Sequence, residues 1–229
     1  MKIGVLLSGC GVYDGAEIHE SVFTMLSIQE LGMEYQCIGI DRLQHHVIDH
    51  SKGEELTEQR NMLVEAARIA RGNIVKLNEN TANEIDALVI PGGFGSAKNF
   101  TTWAFNGPKG EILPEVKNLL ITLNASGKPI VALCVSPVVL AKAMENSGKS
   151  ILMTIGTSKA ASPYDISGFE AGLQATGSST IEKGISEIQI DAVNKVITAP
   201  CYMMEANMVE VLCNVRQAIT ALKEMLHAG

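Results

Sequence analysis

Gly127-Lys128-Pro129-Ile130-Val131-Ala132-Leu133-Cys134-Val135-Ser136-Pro137-Val138-Val139-Leu140 is the stretch from which the fold is read. Ile130 to Leu133 is short and wholly apolar, the pattern of a strand buried on both faces. Ser136-Pro137 opens a helical pattern running from Val138 to Glu145, and proline suits a first helical turn because its missing N–H would be unpaired there anyway. Cys134 therefore stands at a sharp strand-to-helix turn. Such an elbow lifts a side chain off the sheet and aims backbone N–H groups at it. A helix N-terminus also favours thiolate over thiol. The alternative is an inert core cysteine, the common fate of an unpaired thiol.

Outward from the elbow, strand and helix patterns alternate. Lys2 to Ser8 reads as a strand, Gly9 to Gly15 as a glycine-rich turn, and Ala16 to Leu31 as a helix ended by Gly32. Tyr35 to Ile40 is a second strand. Asp41 to Thr57 has little helical period and is a loop or small hairpin. Glu58 to Arg71 is helical, Ile85 to Ile90 a strand running into Pro91-Gly92-Gly93, and Leu113 to Ala125 a helix. Beyond the elbow, Ile151 to Ile155 reads as a strand and Gly168 to Ala175 as a short helix. Ile188 to Ile190 and Val196 to Thr198 are strands about a turn at 191–194, and Glu205 to Leu226 is a long helix. This alternation implies one α/β domain over residues 1–229, a doubly wound, mostly parallel sheet sandwiched by helices. In such a sheet, ligands bind at the carboxyl ends of the strands. The turns at 9–20, 91–99 and 134–137 share that edge.

A net charge of −7 argues against nucleic acid and anionic membranes as partners. No segment reaches transmembrane length. Leu7-Ser8-Gly9-Cys10 mimics a lipoprotein cleavage box, but the apolar run before it is too short for a signal segment. Cys10, Cys37, Cys134, Cys201 and Cys213 are odd in number, scattered and without a CxxC, so neither a zinc site nor a disulfide framework is expected. A reducing cytoplasm fits that usage.

Two further turns supply candidates. Glu17 and Glu20, three apart at a helix start, lie on one side of it. A carboxyl beside a thiol can carry its proton; the alternative is complementation of the helix dipole. Gly92 and Gly93 after a buried strand let N–H groups approach a ligand as half of an oxyanion hole, or simply make a tight turn. Lys98 and Asn99 line the pocket or begin a helix. Cys10, on the same loop edge, either resolves an oxidised Cys134 or is a small loop residue. Cys37 and Cys213 read as core, and Cys201, after Pro200 at a strand end, as lying at the site edge.

Gly15-Ala16-Glu17-Ile18-His19-Glu20-Ser21, Pro91-Gly92-Gly93 and Ala132-Leu133-Cys134-Val135-Ser136-Pro137 resemble the superfamily of class I glutamine amidotransferase domains, PfpI proteases and deglycase or glyoxalase III enzymes. The block from Ser8 to Glu20, with Arg60-Asn61, Ala66 to Gly72 and Pro91 to Asn99, is similar to the ElbB family, whose members are called enhancing lycopene biosynthesis protein, glyoxalase ElbB or sigma cross-reacting protein. The likeness spans essentially the whole chain. It implies a flavodoxin-like α/β sandwich, commonly a homodimer, with Cys134 as nucleophile and Glu20 bonded to its thiol. It also implies an oxyanion hole from the Gly93 and Val135 N–H groups, and glyoxal or methylglyoxal as substrates. The superfamily usually places a histidine after the nucleophile. Here none lies between Cys134 and His227, and Thr157 stands about where some relatives carry it. Amidotransferase and protease chemistry, which rest on a Cys–His pair, are therefore not expected.

Two other signals are set aside. Gly9-x-Gly11-x-x-x-Gly15 has one residue too many for a dinucleotide fingerprint, and Asp14, Glu17 and Glu20 would repel a pyrophosphate. His45, His46, Asp49 and His50 read as a solvated hairpin rather than a metal site, since in an extended segment His45 points away from His46 and His50. The expectation is a glyoxalase III-like enzyme needing no cofactor or metal. In it the Cys134 thiolate adds to an aldehyde, the Gly93 and Val135 N–H groups hold the oxyanion, and Glu20 relays a proton through an enediol. The alternative is a non-catalytic redox-sensing or ligand-binding regulatory protein.

Overall fold

The computed structural model describes residues 1–228. Its strands are β1 (Lys2–Leu6), β2 (Glu34–Gly39), β3 (Ile48–Asp49), β4 (Glu54–Glu55), β5 (Ile74–Lys76), β6 (Ala87–Ile90), β7 (Ile130–Leu133), β8 (Leu152–Met153), β9 (Ser179–Thr180), β10 (Gln189–Asp191) and β11 (Val196–Ala199). Its α-helices are α1 (Ile18–Glu30), α2 (Met62–Ile69), α3 (Thr81–Glu84), α4 (Trp103–Asn106), α5 (Pro114–Ala125), α6 (Pro137–Met144), α7 (Ile166–Ala175) and α8 (Met208–His227). Seven strands form one sheet in the order β10-β11-β7-β6-β1-β2-β5, parallel throughout except for β10, which pairs antiparallel with β11.

Every residue of β6, β7 and β11 is buried. That is what a continuous aliphatic run requires when helices cover both faces of a parallel sheet. α1 packs on α8 and α2, while α5 packs on α3 and α6. The chain runs outward from β1 to β2 and β5 in one direction, then from β6 to β7 and β11 in the other. The reversal falls between β1 and β6, the crevice where such folds place ligands. Val211, Val215, Ile219 and Leu222 form the buried stripe of α8 at i, i+4 and i+3 spacing. Each such aliphatic burial is worth roughly 1.5–3 kcal/mol. On the exposed side, Arg216 grips Glu30 of α1 with two bonds of 2.9 and 2.7 Å.

Several boundaries differ from the sequence reading, each for a local reason. α2 starts at Met62 rather than Glu58 because the Asn61 side chain takes the Leu63 and Val64 N–H groups, capping the helix there. α8 starts at Met208 rather than Glu205 because Asn207 and Glu210 form a reciprocal capping box. Residues 151–155 yield only β8, paired with β9 in a separate two-stranded sheet. The segment 41–57 is a hairpin, β3 against β4.

Candidate active site

Cys134 follows β7 with φ of +55°. A non-glycine residue in that region is strained and persists only where its surroundings hold it. Here its N–H donates to the Ala199 carbonyl at 2.9 Å. The Ser136 hydroxyl donates to the Pro91 carbonyl at 2.7 Å and meets the Ser96 hydroxyl at 2.9 Å. The elbow is thereby tied to the turn after β6. The sulfur is nearly enclosed, with Cys134 5% exposed. The N–H groups of Gly93 and Val135 point at it, and Glu20 shares a hydrogen bond with it.

Glu20 is fully buried. It accepts from the Gly92 N–H at 2.7 Å and the Tyr202 N–H at 3.3 Å. Burial, with the Glu17 charge adding to it, pushes the Glu20 carboxyl up to about 8. The sequence led us to expect a depressed Cys134 thiol. Instead, burial and the neighbouring Glu20 charge push that thiol well up, against the pull of the two N–H groups. The helix N-terminus does not prevail because the sulfur is almost wholly removed from water and the Glu20 charge adjoins it.

Glu17 takes the dipole-complementing role: it is the N-cap of α1, its side chain accepting from the Glu20 N–H at 2.7 Å. Burial raises its own carboxyl. The glycines are explained by close approach. A Cβ on Gly92 would sit 2.9 Å from the Cys134 sulfur and 2.5 Å from Glu20 Oε2. One on Gly93 (φ +95°) would run into the Glu17 amide and the Gly15 carbonyl. The turns after β1 and β6 interlock backbone to backbone, and Glu17 N–H donates to the Gly92 carbonyl at 2.9 Å.

Lys98 and Asn99 do not present free groups to Cys134. Asn99 donates to the Ser8 and Asp14 carbonyls at 2.9 and 2.8 Å and accepts from His45 N–H at 2.8 Å. Lys98 donates to the Tyr13 carbonyl at 2.8 Å. Both belong to a π turn, Ser96–Phe100, that clamps the first loop. Cys10 is half-buried beside Glu65, Arg68 and Asp14; burial first, then the Glu65 and Asp14 charges, raise its thiol against the pull of Arg68. Cys37 is core, beside Met25. Cys213 is exposed on α8, contrary to the core reading, because the apolar stripe of that helix passes one residue position away. The hairpin is not simply solvated. His50 Nε2 accepts the Tyr13 N–H at 3.2 Å and Asp14 accepts from Ile48 N–H at 2.7 Å, so the hairpin buttresses the first turn.

Two residues were not read from the sequence. Tyr164 lies near enough for the Cys134 charge to help raise its phenol, which burial takes to about 12. Tyr202 donates its N–H to Glu20, and its hydroxyl meets His19 Nδ1 at 2.9 Å. With Tyr13, Glu17 and Met204 they line a groove of about 520 Å³. Their positions depend on the long connections 157–165 and 200–206, which carry no period. Thr157 is buried with its N–H toward Met204 sulfur at 3.4 Å, and its hydroxyl accepts from Lys159 N–H at 3.1 Å.

No family model matches the chain. It is 38% identical over 209 residues to the rat ES1 protein homolog, mitochondrial, covering 90% of this chain and 77% of that one. It is likewise 38% identical over 206 residues to the human glutamine amidotransferase-like class 1 domain-containing protein 3, mitochondrial, covering 89% and 75%. Among solved structures it resembles an isoprenoid biosynthesis protein with an amidotransferase-like domain from Ehrlichia chaffeensis, at TM-score 0.87 and 32% identity over 98% of this chain and 99% of that one. A ThiJ/PfpI domain protein from Brachyspira murdochii, at TM-score 0.57 and 12% identity over 97% and 96%, shares the fold alone.

Proposed function

The chain belongs to the ES1 and glutamine amidotransferase-like class 1 family, and from that premise we propose that it is a cysteine-dependent glyoxalase III-like enzyme of the ElbB group. The observation that carries this reading is the Glu20–Cys134 pair, a buried carboxyl bonded to an elbow thiol that two N–H groups also face. The chemistry such a pair can perform is proton transfer at a carbon bonded to sulfur. The thiolate adds to one aldehyde carbon of glyoxal, and the Gly93 and Val135 N–H groups hold the resulting oxyanion. Glu20, which holds the thiol proton, passes it to that oxygen, then takes the proton from the carbon bonded to sulfur, giving an enediol, and returns it to the neighbouring carbon as the hydroxyl proton shifts to the second oxygen, leaving a thioester. Water cleaves the thioester, releasing glycolate and restoring the thiol. Each step is balanced by residues of this chain and the substrate.

The same family includes a protein named for isoprenoid biosynthesis, and we extend that link, a homodimeric state and a cytoplasmic setting to this chain as proposals; the mitochondrial names belong to its relatives. Among the described residues no helix is long and apolar enough to cross a membrane. A second reading, a redox-sensing or ligand-binding regulator, draws on the burial of Cys134 and its upward-shifted thiol. Glyoxal turnover separates the two. Cys134→Ala abolishes it, and Glu20→Gln lowers kcat about 10²–10⁴-fold with the fold retained by circular dichroism. Wild-type protein with no turnover, or with turnover equal to that of Cys134→Ala, would leave the regulator as the reading.

A further inference from the structure

We propose that Cys201 is the resolving thiol of this site, closing a disulfide with Cys134 after a hydroperoxide has oxidised it. The inference rests on the reading of Cys134 as a reactive thiol and adds a second cysteine to it. The placement comes from the sheet. Ala199 of β11 pairs with Leu133 of β7, and each strand then delivers one cysteine over the same edge. Cys134 is the first residue beyond that pair and Cys201 the second, so the two stand one position out of register where the strands end. The Cys134 N–H faces the Cys201 sulfur as well as the Ala199 carbonyl. Tyr202, the next residue, donates its N–H to Glu20, which also bonds the Cys134 thiol. Both sulfurs thus adjoin one buried carboxyl.

Backbone strain marks the same pair. Cys201 has φ of +46° and Cys134 φ of +55°, two of the five non-glycine residues with positive φ among the described residues. Such conformations cost on the order of 1–3 kcal/mol each. At Cys201 the strained turn is held by the buried Asn214, whose side-chain oxygen accepts the Cys201 N–H at 3.0 Å. Glycine would relieve that turn, and a cysteine stands there instead. Cys10, the alternative resolver, sits against Glu65, Arg68 and Asp14.

The chemistry closes. Cys134 thiolate attacks the distal oxygen of the hydroperoxide, the O–O bond breaks, and the alcohol leaves with one proton, giving the sulfenic acid. The Cys201 sulfur attacks the sulfenic sulfur, the S–O bond breaks, and hydroxide takes the Cys201 proton to leave as water. One peroxide takes two electrons in all, one formally from each sulfur of the disulfide, and a dithiol reductant returns both to the thiol. Order follows from access: Cys134 is 5% exposed and Cys201 is fully enclosed, so oxidant meets Cys134 first. A disulfide at this point spares Cys134 from the irreversible sulfinic acid.

The test treats full-length wild-type protein with one equivalent of hydrogen peroxide and maps peptides by mass spectrometry without reduction. The expected product is a Cys134–Cys201 linked peptide, with glyoxal turnover lost and then regained on adding dithiothreitol. In Cys201→Ser and, as a second variant, Cys201→Gly, which suits the positive φ, a second equivalent of peroxide takes Cys134 on to sulfinic acid and turnover is not regained, whereas the wild-type disulfide withstands that second equivalent. A wild-type protein in which Cys134 is oxidised but links to Cys10 or to nothing overturns the assignment of Cys201 while leaving Cys134 reactive. A protein in which Cys134 is not oxidised at all removes the premise and the assignment together.

Discussion

A carboxyl that titrates at about 8 and a thiol that titrates higher share one hydrogen bond in this fold. Below about pH 8 that pair holds two protons, and the sulfur is a neutral thiol, a weak nucleophile. Loss of one proton leaves a single one, which either the carboxyl or the sulfur can carry. The Gly93 and Val135 N–H groups support the form in which the sulfur is charged. Glyoxal kcat/KM should therefore climb about tenfold per pH unit below about 8 and flatten above it. Glu20→Gln, which cannot ionise, should lose that inflection along with most of its rate. A wild-type profile that is flat from pH 6 to 9 would contradict the shared-proton picture. Glu17 makes no such prediction, because its carboxylate is committed to the Glu20 N–H.

The turn after β6 is the element on which the site depends, since it places Gly92 against both reacting side chains and Gly93 against the loop after β1. Gly92→Ala should lower turnover by about 10²-fold or more through misplacement of Cys134 and Glu20. It should also cost roughly 1–3 kcal/mol by overpacking in urea unfolding. Unchanged turnover in a folded Gly92→Ala protein would mean that the turn yields where the structure shows no room. Elements with a strong local signature were legible in the sequence. β7 announced itself by four apolar residues between Pro129 and Cys134, and α5 by its apolar period between Pro114 and Ala125. β5 did not, because Ile74, Val75 and Lys76 form a short, half-exposed edge strand with neither alternation nor a continuous apolar run. The starts of α2 and α8 were misplaced because polar residues ahead of a helix carry no period, and only the caps mark the boundary. Asn207→Ala tests that point directly. Removing the acceptor for the Val209 and Glu210 N–H groups should cost about 1 kcal/mol of stability. In the site, Cys134, Glu20 and the glycines were readable because each ends or begins an element. Tyr164 and Tyr202 reach the groove from irregular connections, where neighbours in space share no spacing in sequence.

At the scale of the whole molecule, burying Glu20 makes the stability of the fold depend on pH in a direction opposite to the usual carboxylate. Its folded value, about 8, lies above the ordinary 4.5. Between those values the folded chain binds more protons than the unfolded one, so unfolding free energy falls as pH rises. The stability is fully present below about 4.5, declines above it and is lost once pH passes about 8. Glu17, also raised, acts in the same sense. Glu182 acts in the other: its carboxylate is held down to about 2 by Lys159 and Ser158, so its contribution is present above 4.5 and is lost only in acid. The two windows do not overlap, which lets Glu20 be isolated. Urea unfolding of wild type against Glu20→Gln should show the variant gaining on the parent by up to a few kcal/mol, in order of magnitude, between pH 5 and pH 9. Equal slopes for the two proteins across that range would mean that Glu20 is ionised in the fold at neutral pH. The proton it is proposed to exchange with Cys134 would then have to come from elsewhere.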